Sequence, residues 1–293
     1  MQLPKSTIQV LVTGANGQLA NEIKVLSLDF HAWHFLFVTR EELPIENFDV
    51  VKSLFEKKSF NYCINCAAYT AVDKAESESD KAFLINADAV GNLAAVCKLY
   101  DTQFIHISTD YVYDGTISKP LTELSSVKPV NVYGASKLKG EELALSKNAK
   151  SIIIRTSWVY SSFGNNFVKT MLRLFKEKDE INVVEDQIGC PTYAADLASV
   201  ILLFIQRLEE GEQYKGIFNY SNEGITNWYE FAMAIKEITN AKCLIHPIPT
   251  SAYKTPADRP LYSVLNIAKI KNTLFLSVPN WKESLSNCLR LIS

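Results

Sequence analysis

A doubly wound parallel α/β sheet carrying a smaller α/β substrate-binding lobe is the fold this sequence predicts. Three observations lead there. Short β-branched and aromatic runs alternate with helix-length segments through the first half. A glycine-bearing turn joins the first of those runs to a helix. The regular alternation then lapses in the second half, where prolines mark a long irregular stretch.

The elements follow in order. Ile8 to Thr13 reads as a strand and Gln18 to Leu28 as a helix. His34 to Thr39 is a second strand, followed by a helix from Phe48 to Lys57. Asn61 to Asn65 is a third strand, and polar and helical residues follow to Tyr100. Gln103 to Ser108 is a fourth strand and Ser151 to Thr156 a fifth. Strands separated by helices make βαβ units, whose right-handed crossovers wind the chain on both faces of a parallel sheet. Farther on, Asn166 to Lys178, Ala194 to Leu208, Trp228 to Thr239 and Trp281 to Leu291 have helical patterns, and Ile181 to Val184 is strand-like. The stretch around Pro247, Pro249, Pro256 and Pro260 reads as irregular. Residues 1–157 form the dinucleotide-binding part, with a return around 194–222; residues 158–193 and 223–293 form the substrate lobe.

Composition narrows the class. With 293 residues, 47% hydrophobic, the chain has too much apolar content for disorder and too little Gly and Pro for a fibrous protein. Thirty basic and 32 acidic residues give a net charge of −2, which does not indicate a nucleic-acid surface. The first residues lack the basic start and apolar core of a leader, and no apolar run approaches the ~20 residues that span a bilayer. A cytoplasmic protein with no membrane partner is expected. Cys63 and Cys66 have C-x-x-C spacing but no second pair, so two small buried side chains are expected rather than a metal or redox site. The four histidines show no ligand spacing.

The turn after the first strand reads Thr13-Gly14-Ala15-Asn16-Gly17-Gln18-Leu19-Ala20. Gly14 permits a tight turn, Gly17 lets the backbone approach a pyrophosphate, and the following helix aims free N–H groups at the phosphates. Ala20 stands where a third glycine is common. The strand–turn–helix context predicts a Rossmann-type dinucleotide turn, the plain alternative being glycines that merely close a βα loop. The second strand ends at Arg40, which suits the 2′-phosphate of NADPH, with NADH possible; the alternative is an exposed loop arginine beside Glu41 and Glu42.

The fourth strand ends in Ser108-Thr109-Asp110, and Tyr133-Gly-Ala-Ser-Lys137 follows. On a helix, Tyr133 and Lys137 share a face. Tyr133 would protonate a carbonyl oxygen as hydride reaches its carbon, with Thr109 bonding the same oxygen. Lys137 would lower the Tyr133 pKa and hold the nicotinamide ribose.

These residues resemble the extended short-chain dehydrogenase/reductases, and longer strings narrow the likeness to the dTDP-4-dehydrorhamnose reductase family. They are Asn65 to Glu76, Ser108 to Gly115, Pro129 to Lys137, Arg155 to Tyr160, Gly164 to Phe167, Asp186 to Thr192 and Arg259 to Ser263. The resemblance implies an NAD(P)H-dependent reduction of a C4 ketone on a nucleotide-linked 6-deoxyhexose. Gly17, Gln18 and Leu19 would serve the pyrophosphate, while Ile45, Ala67, Ala68 and Tyr69 would lie along the adenosine half. Val72, Asp110, Trp158, Asn166, Gln187 and Arg259 would contact the nucleotide sugar. Trp158 as a core aromatic and Arg259 as a salt-bridge residue are the plain alternatives.

Two departures stand out. Leu43-Pro44-Ile45 lacks a carboxylate common near the adenine, and Ala194-Ala195 stands where some relatives place an acidic ligand of a magnesium-bridged dimer. No metal is therefore expected, and a monomer or metal-free homodimer is. A non-catalytic NADP-binding regulatory subunit, resembling the β subunit of methionine adenosyltransferase, is the alternative function. An epimerase or dehydratase is a third; Tyr111 after Asp110 argues against the dehydratases.

Overall fold

The computed structural model describes residues 7–116 and 118–292. The reading of residues 1–6 as no leader lies outside the described residues, as does Ser293.

The first part of the chain is built from β1 (Ile8–Thr13), α1 (Gln18–Leu26), β2 (Trp33–Val38), α2 (Phe48–Lys57), β3 (Tyr62–Asn65), α3 (Val72–Ala75), α4 (Ser79–Phe83), α5 (Ala89–Leu99), β4 (Gln103–Thr109), α6 (Val132–Lys147) and β5 (Ile152–Thr156). After them come β6 (Val159–Tyr160), α7 (Phe167–Glu177), β7 (Glu180–Val184), β8 (Ile188–Gly189), β9 (Thr192–Tyr193) and α8 (Ala194–Glu209). The chain closes with β10 (Gly216–Asn219), β11 (Thr226–Asn227), α9 (Trp228–Thr239), β12 (Leu244–Ile248), α10 (Ala268–Leu274) and α11 (Trp281–Ile292).

Six parallel strands form the main sheet in the order β10-β5-β4-β3-β1-β2. The order reverses between β1 and β3, and the carboxyl ends there open a crevice. β3 and β5 are buried at every position, as expected of strands covered on both faces. One face carries α1 and α8, with Ile23, Leu197, Ile201, Phe204 and Ile205 packed on Val10, Val12 and Ile154. The other carries α2, α5 and α6, with Val51, Phe55, Leu93 and Ala144 packed on Leu11, Cys63 and Ile153. Each fully buried Leu or Ile contributes about 1.5–3 kcal/mol. A third core in the second lobe packs Val168 and Met171 of α7, Phe231 and Ile235 of α9, and Trp281 and Leu285 of α11.

Several expectations need correction. The proline-marked stretch contains strand β12, paired in parallel with β7 along five positions from Leu244↔Glu180 to Ile248↔Val184. Pro247 is tolerated because this two-stranded sheet leaves β12 with a free edge where no N–H is required. Helix α10 and strand β10 were also not foreseen as elements. By length and composition Ser79–Leu99 is apolar enough to cross a membrane, contrary to the expectation of no such run, but 61% of its apolar window is buried inside the protein. Cys63 is buried and Cys66 half-buried, and the described cysteines are all free.

Side-chain caps tie helix starts to the rest of the molecule. Asn131 accepts from Gly134 N at the start of α6 and also donates to Asp258 O across the lobes (2.7 Å both). Asn166 accepts from Lys169 N (3.1 Å) at the start of α7 and donates to Gln18 Oε1 (2.8 Å) on α1. Asn227 caps α9 through Glu230 N at 2.7 Å.

Candidate active site

The crevice at the strand ends is a cavity of about 840 Å³. Its floor is the turn between β1 and α1. Gly14 has φ +71°, and a Cβ there would stand 2.7 Å from Ala67 N. Only glycine lets β1 and the segment after β3 approach this closely. Gly17 begins α1 without a side-chain cap, and no acidic residue lies in the first turn. The helix start therefore keeps its N–H groups and positive end for an anion. Gly14, Gly17, Gln18 and Leu19 line this end of the cavity, with Ala67, Ala68 and Tyr69 opposite. Arg40 and Ile45 complete the wall. Arg40 donates to Glu46 at 2.7 Å, so its guanidinium is held on the rim by a carboxylate. These features fit a dinucleotide: a tight glycine cradle, an uncapped helix and a rim cation.

At the other end, α6 places Tyr133 and Lys137 on one face. The helix starts hard against the turn after β4, since a Cβ on Gly134 would lie 2.2 Å from Tyr111 O. That approach brings Tyr133 to Thr109. Burial pushes the Tyr133 phenol up to about 12, while the Thr109 hydroxyl pulls it down and the Asp110 charge adds to the rise. Burial also pushes the Lys137 ammonium down to about 8. Lys137 Nζ donates to Ile107 O at 2.6 Å. The expectation that Lys137 lowers the Tyr133 pKa is therefore corrected: the phenol is raised, chiefly by burial, with Thr109 and Asp110 as the other influences, and the Lys137 amine is engaged by β4.

Asp110 is buried, with one carboxylate oxygen accepting from Thr109 Oγ1 (3.1 Å) and the other without a hydrogen-bond partner. Desolvation raises its carboxyl to about 6 against the lowering effect of its hydrogen bonds. An orphaned buried oxygen on a cavity wall is placed to accept a ligand hydroxyl. Trp158, at φ +48°, stacks on Trp228 with ring centroids 3.7 Å apart. Both tryptophans and Val72 line the cavity.

Three residues expected at the substrate do other work. Asn166 is the α7 cap just described. Gln187 donates to Thr250 Oγ1 (3.1 Å) and accepts from Trp228 Nε1 (3.1 Å), so it braces the tryptophan pair from behind. Arg259 forms a two-pronged ion pair with Asp73 at 3.0 Å. None of the three lines the cavity. Each is a polar residue that bonds to the scaffold through distant partners, which the sequence alone does not reveal. Trp228 was missed as a site residue because nothing in sequence links it to Trp158, 70 positions earlier. Among the described residues, no group of three or more His, Cys, Asp or Glu could hold a metal ion.

Below Lys137 on the same helix, Glu141 pairs with Arg155 of β5 (2.6 Å) and accepts from Ser108 Oγ (2.5 Å). This buried pair clamps β4, β5 and α6 together, so Thr109 and Tyr133 share one rigid frame.

Comparison with known proteins agrees with this architecture. Residues 8–293 match the family model described as RmlD substrate binding domain. A dTDP-4-dehydrorhamnose reductase of Aggregatibacter actinomycetemcomitans is 40% identical over 286 residues, covering 95% of this chain and 97% of the relative. The crystal structure of a dTDP-4-dehydrorhamnose reductase from Clostridium acetobutylicum superposes with TM-score 0.92 at 40% identity, over 97% of this chain and 99% of that one. Another, from Bacillus anthracis in complex with NADP, gives TM-score 0.91 at 38% identity with the same coverage, 97% and 99%. Fold, glycine cradle and full-length similarity together make this chain a member of the dTDP-4-dehydrorhamnose reductase family.

Proposed function

We propose that this protein is an NADPH-dependent reductase of the C4 ketone of a nucleotide-linked 4-keto-6-deoxyhexose, with dTDP-4-dehydro-β-L-rhamnose as substrate and dTDP-L-rhamnose as product. The observation that carries the reading is one cavity with a dinucleotide cradle at one end and Thr109, Tyr133 and Lys137 at the other. The nicotinamide, when bound, supplies the hydride. Tyr133, with its phenol pushed up to about 12, keeps its proton at neutral pH and donates it to the forming alkoxide. Thr109 steadies the same oxygen. Lys137 lines the wall where a ribose would lie, and Arg40 faces the adenosine end, favouring NADPH over NADH. Asp110 and the Trp158–Trp228 stack would hold the hexose by a hydroxyl and a flat apolar face. The nucleotide lobe comprises residues 1–157 and the return around 194–222, the rest forming the substrate lobe. The protein acts in the cytoplasm as a monomer or metal-free homodimer.

The test is loss of NADPH absorbance with dTDP-4-dehydro-β-L-rhamnose, run beside UDP-, GDP- and CDP-linked keto sugars. Tyr133→Phe removes the proton donor and should cost about 10²–10⁴-fold in kcat while NADPH still binds. Turnover within threefold of the parent would end the assignment of Tyr133.

A further inference from the structure

Three polar side chains interrupt the apolar interior of the main sheet. Thr13, Asn65 and His106 are cross-strand neighbours in register on β1, β3 and β4. They are 0%, 1% and 0% exposed. Polar groups in such surroundings are costly unless each finds a partner. Thr13 Oγ1 donates to Asn65 Oδ1 at 2.6 Å, Asn65 Nδ2 lies 3.0 Å from His106 Nδ1, and His106 Nε2 lies 3.3 Å from Lys137 Nζ. The row runs from the strand under the glycine turn to the lysine on the cavity wall.

The donors in this row all point one way. Ala67 N approaches Thr13 Oγ1 (3.4 Å), so the Thr13 hydrogen is free for Asn65. The Asn65 carbonyl is then occupied, and its amide N–H faces Nδ1 of the imidazole. Burial holds that imidazole neutral, well below the usual histidine range, and the Lys137 charge acts in the same direction. A neutral ring accepting at Nδ1 carries its hydrogen on Nε2. That hydrogen points at Lys137 Nζ. An ammonium has only donors to offer there; an amine has a lone pair.

We propose that His106 is a positioning residue for the reductase: its Nε2–H donates to Lys137 Nζ, favouring the amine and making Lys137 a group that exchanges its proton rather than a fixed cation. The inference rests on the reductase reading only for its consequence in turnover. The other titratable groups acting on Lys137 are Glu141 on its own helix and Cys66 after β3, with Arg155 of β5 behind Glu141; Tyr133 shares its helix face and lines the same cavity. Glu141 and Cys66 favour the ammonium, as does the Ile107 carbonyl that accepts from Nζ at 2.6 Å, but burial opposes them and the Glu141 charge is shared with Arg155 at 2.6 Å. A lysine poised near the working pH can accept and return protons, which a lysine at its ordinary value does poorly.

The test is direct titration of Lys137 in the full chain by 13C NMR of labelled lysine, assigned with Lys137→Met. In the parent the midpoint should lie near 8. His106→Phe keeps the ring and removes the N–H, so the midpoint should rise by about one pH unit, the size of a lost hydrogen bond. His106→Gln, whose amide can still donate, should restore most of the shift. An unchanged or lower midpoint in His106→Phe overturns the proposal, because an accepting Nε2 would give the opposite sign. Should that variant fail to fold, 15N spectra of the parent above the lysine midpoint, where the amine is present, decide: a neutral ring with hydrogen on Nε2 supports the inference, and the other tautomer or a charged ring overturns it. The pH limb of kcat/KM should follow the lysine midpoint. A shifted midpoint in a protein without reductase turnover would sink the functional reading alone, whereas turnover without the shift would sink this inference alone.

Discussion

Replacing Glu141 by Gln is the most informative stability experiment the structure offers. The Glu141 and Arg155 side chains are 2% and 3% exposed. Glu141 accepts from Arg155 Nε at 2.9 and 3.1 Å, from Arg155 Nη2 at 2.6 Å and from Ser108 Oγ at 2.5 Å. A glutamine keeps one acceptor but turns an NH₂ toward donors and leaves the guanidinium without its counter-charge. Breaking a buried pair this way costs about 3–5 kcal/mol, a large part of the roughly 5–15 kcal/mol that holds a domain folded. Removing both charges tells the causes apart. In Glu141→Leu with Arg155→Met, Ser108 loses its acceptor and Tyr113 its 2.8 Å bond from Arg155, but Tyr113 still donates to Thr122 O at 3.0 Å. Two such hydrogen bonds are worth about 1–3 kcal/mol together. The double variant should therefore be more stable than Glu141→Gln alone. Urea unfolding followed by circular dichroism, with slopes compared to confirm two-state behaviour, measures both. A single variant within 1 kcal/mol of the parent, or a double variant less stable than the single, would refute the view that an uncompensated buried charge dominates.

Arg40→Ala should weaken NADPH binding about tenfold to a hundredfold while NADH binding holds, by loss of a charge-assisted bond to a phosphate; equal effects in a fluorescence titration of the two cofactors would move Arg40 out of the site. Asp110 has its carboxyl raised from 3.8 to about 6, so between those values the native state holds a proton that the unfolded chain has released. Stability from this group is therefore complete below about pH 4 and is lost as pH rises through 6. Asp110→Asn should stabilise the fold by on the order of 2–3 kcal/mol at pH 7.5 and by little at pH 4; equal effects at both pH values in thermal melts would contradict the desolvation. Oligomeric state measured by light scattering should not respond to EDTA, and a dimer that dissociates on chelation and reforms with Mg²⁺ would show ligands that Ala195 cannot supply.

What the sequence disclosed and what it hid follow from range. The runs Ile8 to Thr13 and Ile152 to Thr156 announce buried parallel strands by local composition, and Gly14 and the Tyr133/Lys137 spacing announce chemistry that needs only a strand, a turn and a helix. Pro247 misled because a breaker is read locally, whereas a free edge is a property of the pairing. Asn166, Gln187 and Arg259 were placed at the substrate by resemblance; their partners Gln18, Trp228 and Asp73 lie 148, 41 and 186 positions away. His106 gave no sign of its importance, since its neighbours Asn65 and Thr13 become neighbours only through sheet register. Burial, not adjacency, decides the behaviour of Tyr133, and burial is a collective outcome.

The helix caps impose a restraint on motion. Asn131 and Asn166 each close a helix start with one end of the amide and grip the other lobe with the opposite end. Swinging the lobes apart as rigid bodies would pull on amides that also terminate α6 and α7, and a lost cap costs about 1 kcal/mol. The helix carrying Tyr133 would fray at the moment of opening. Admission of a bulky substrate is thereby directed toward shifts of individual side chains, with the main sheet and the helix carrying Tyr133 moving as one piece.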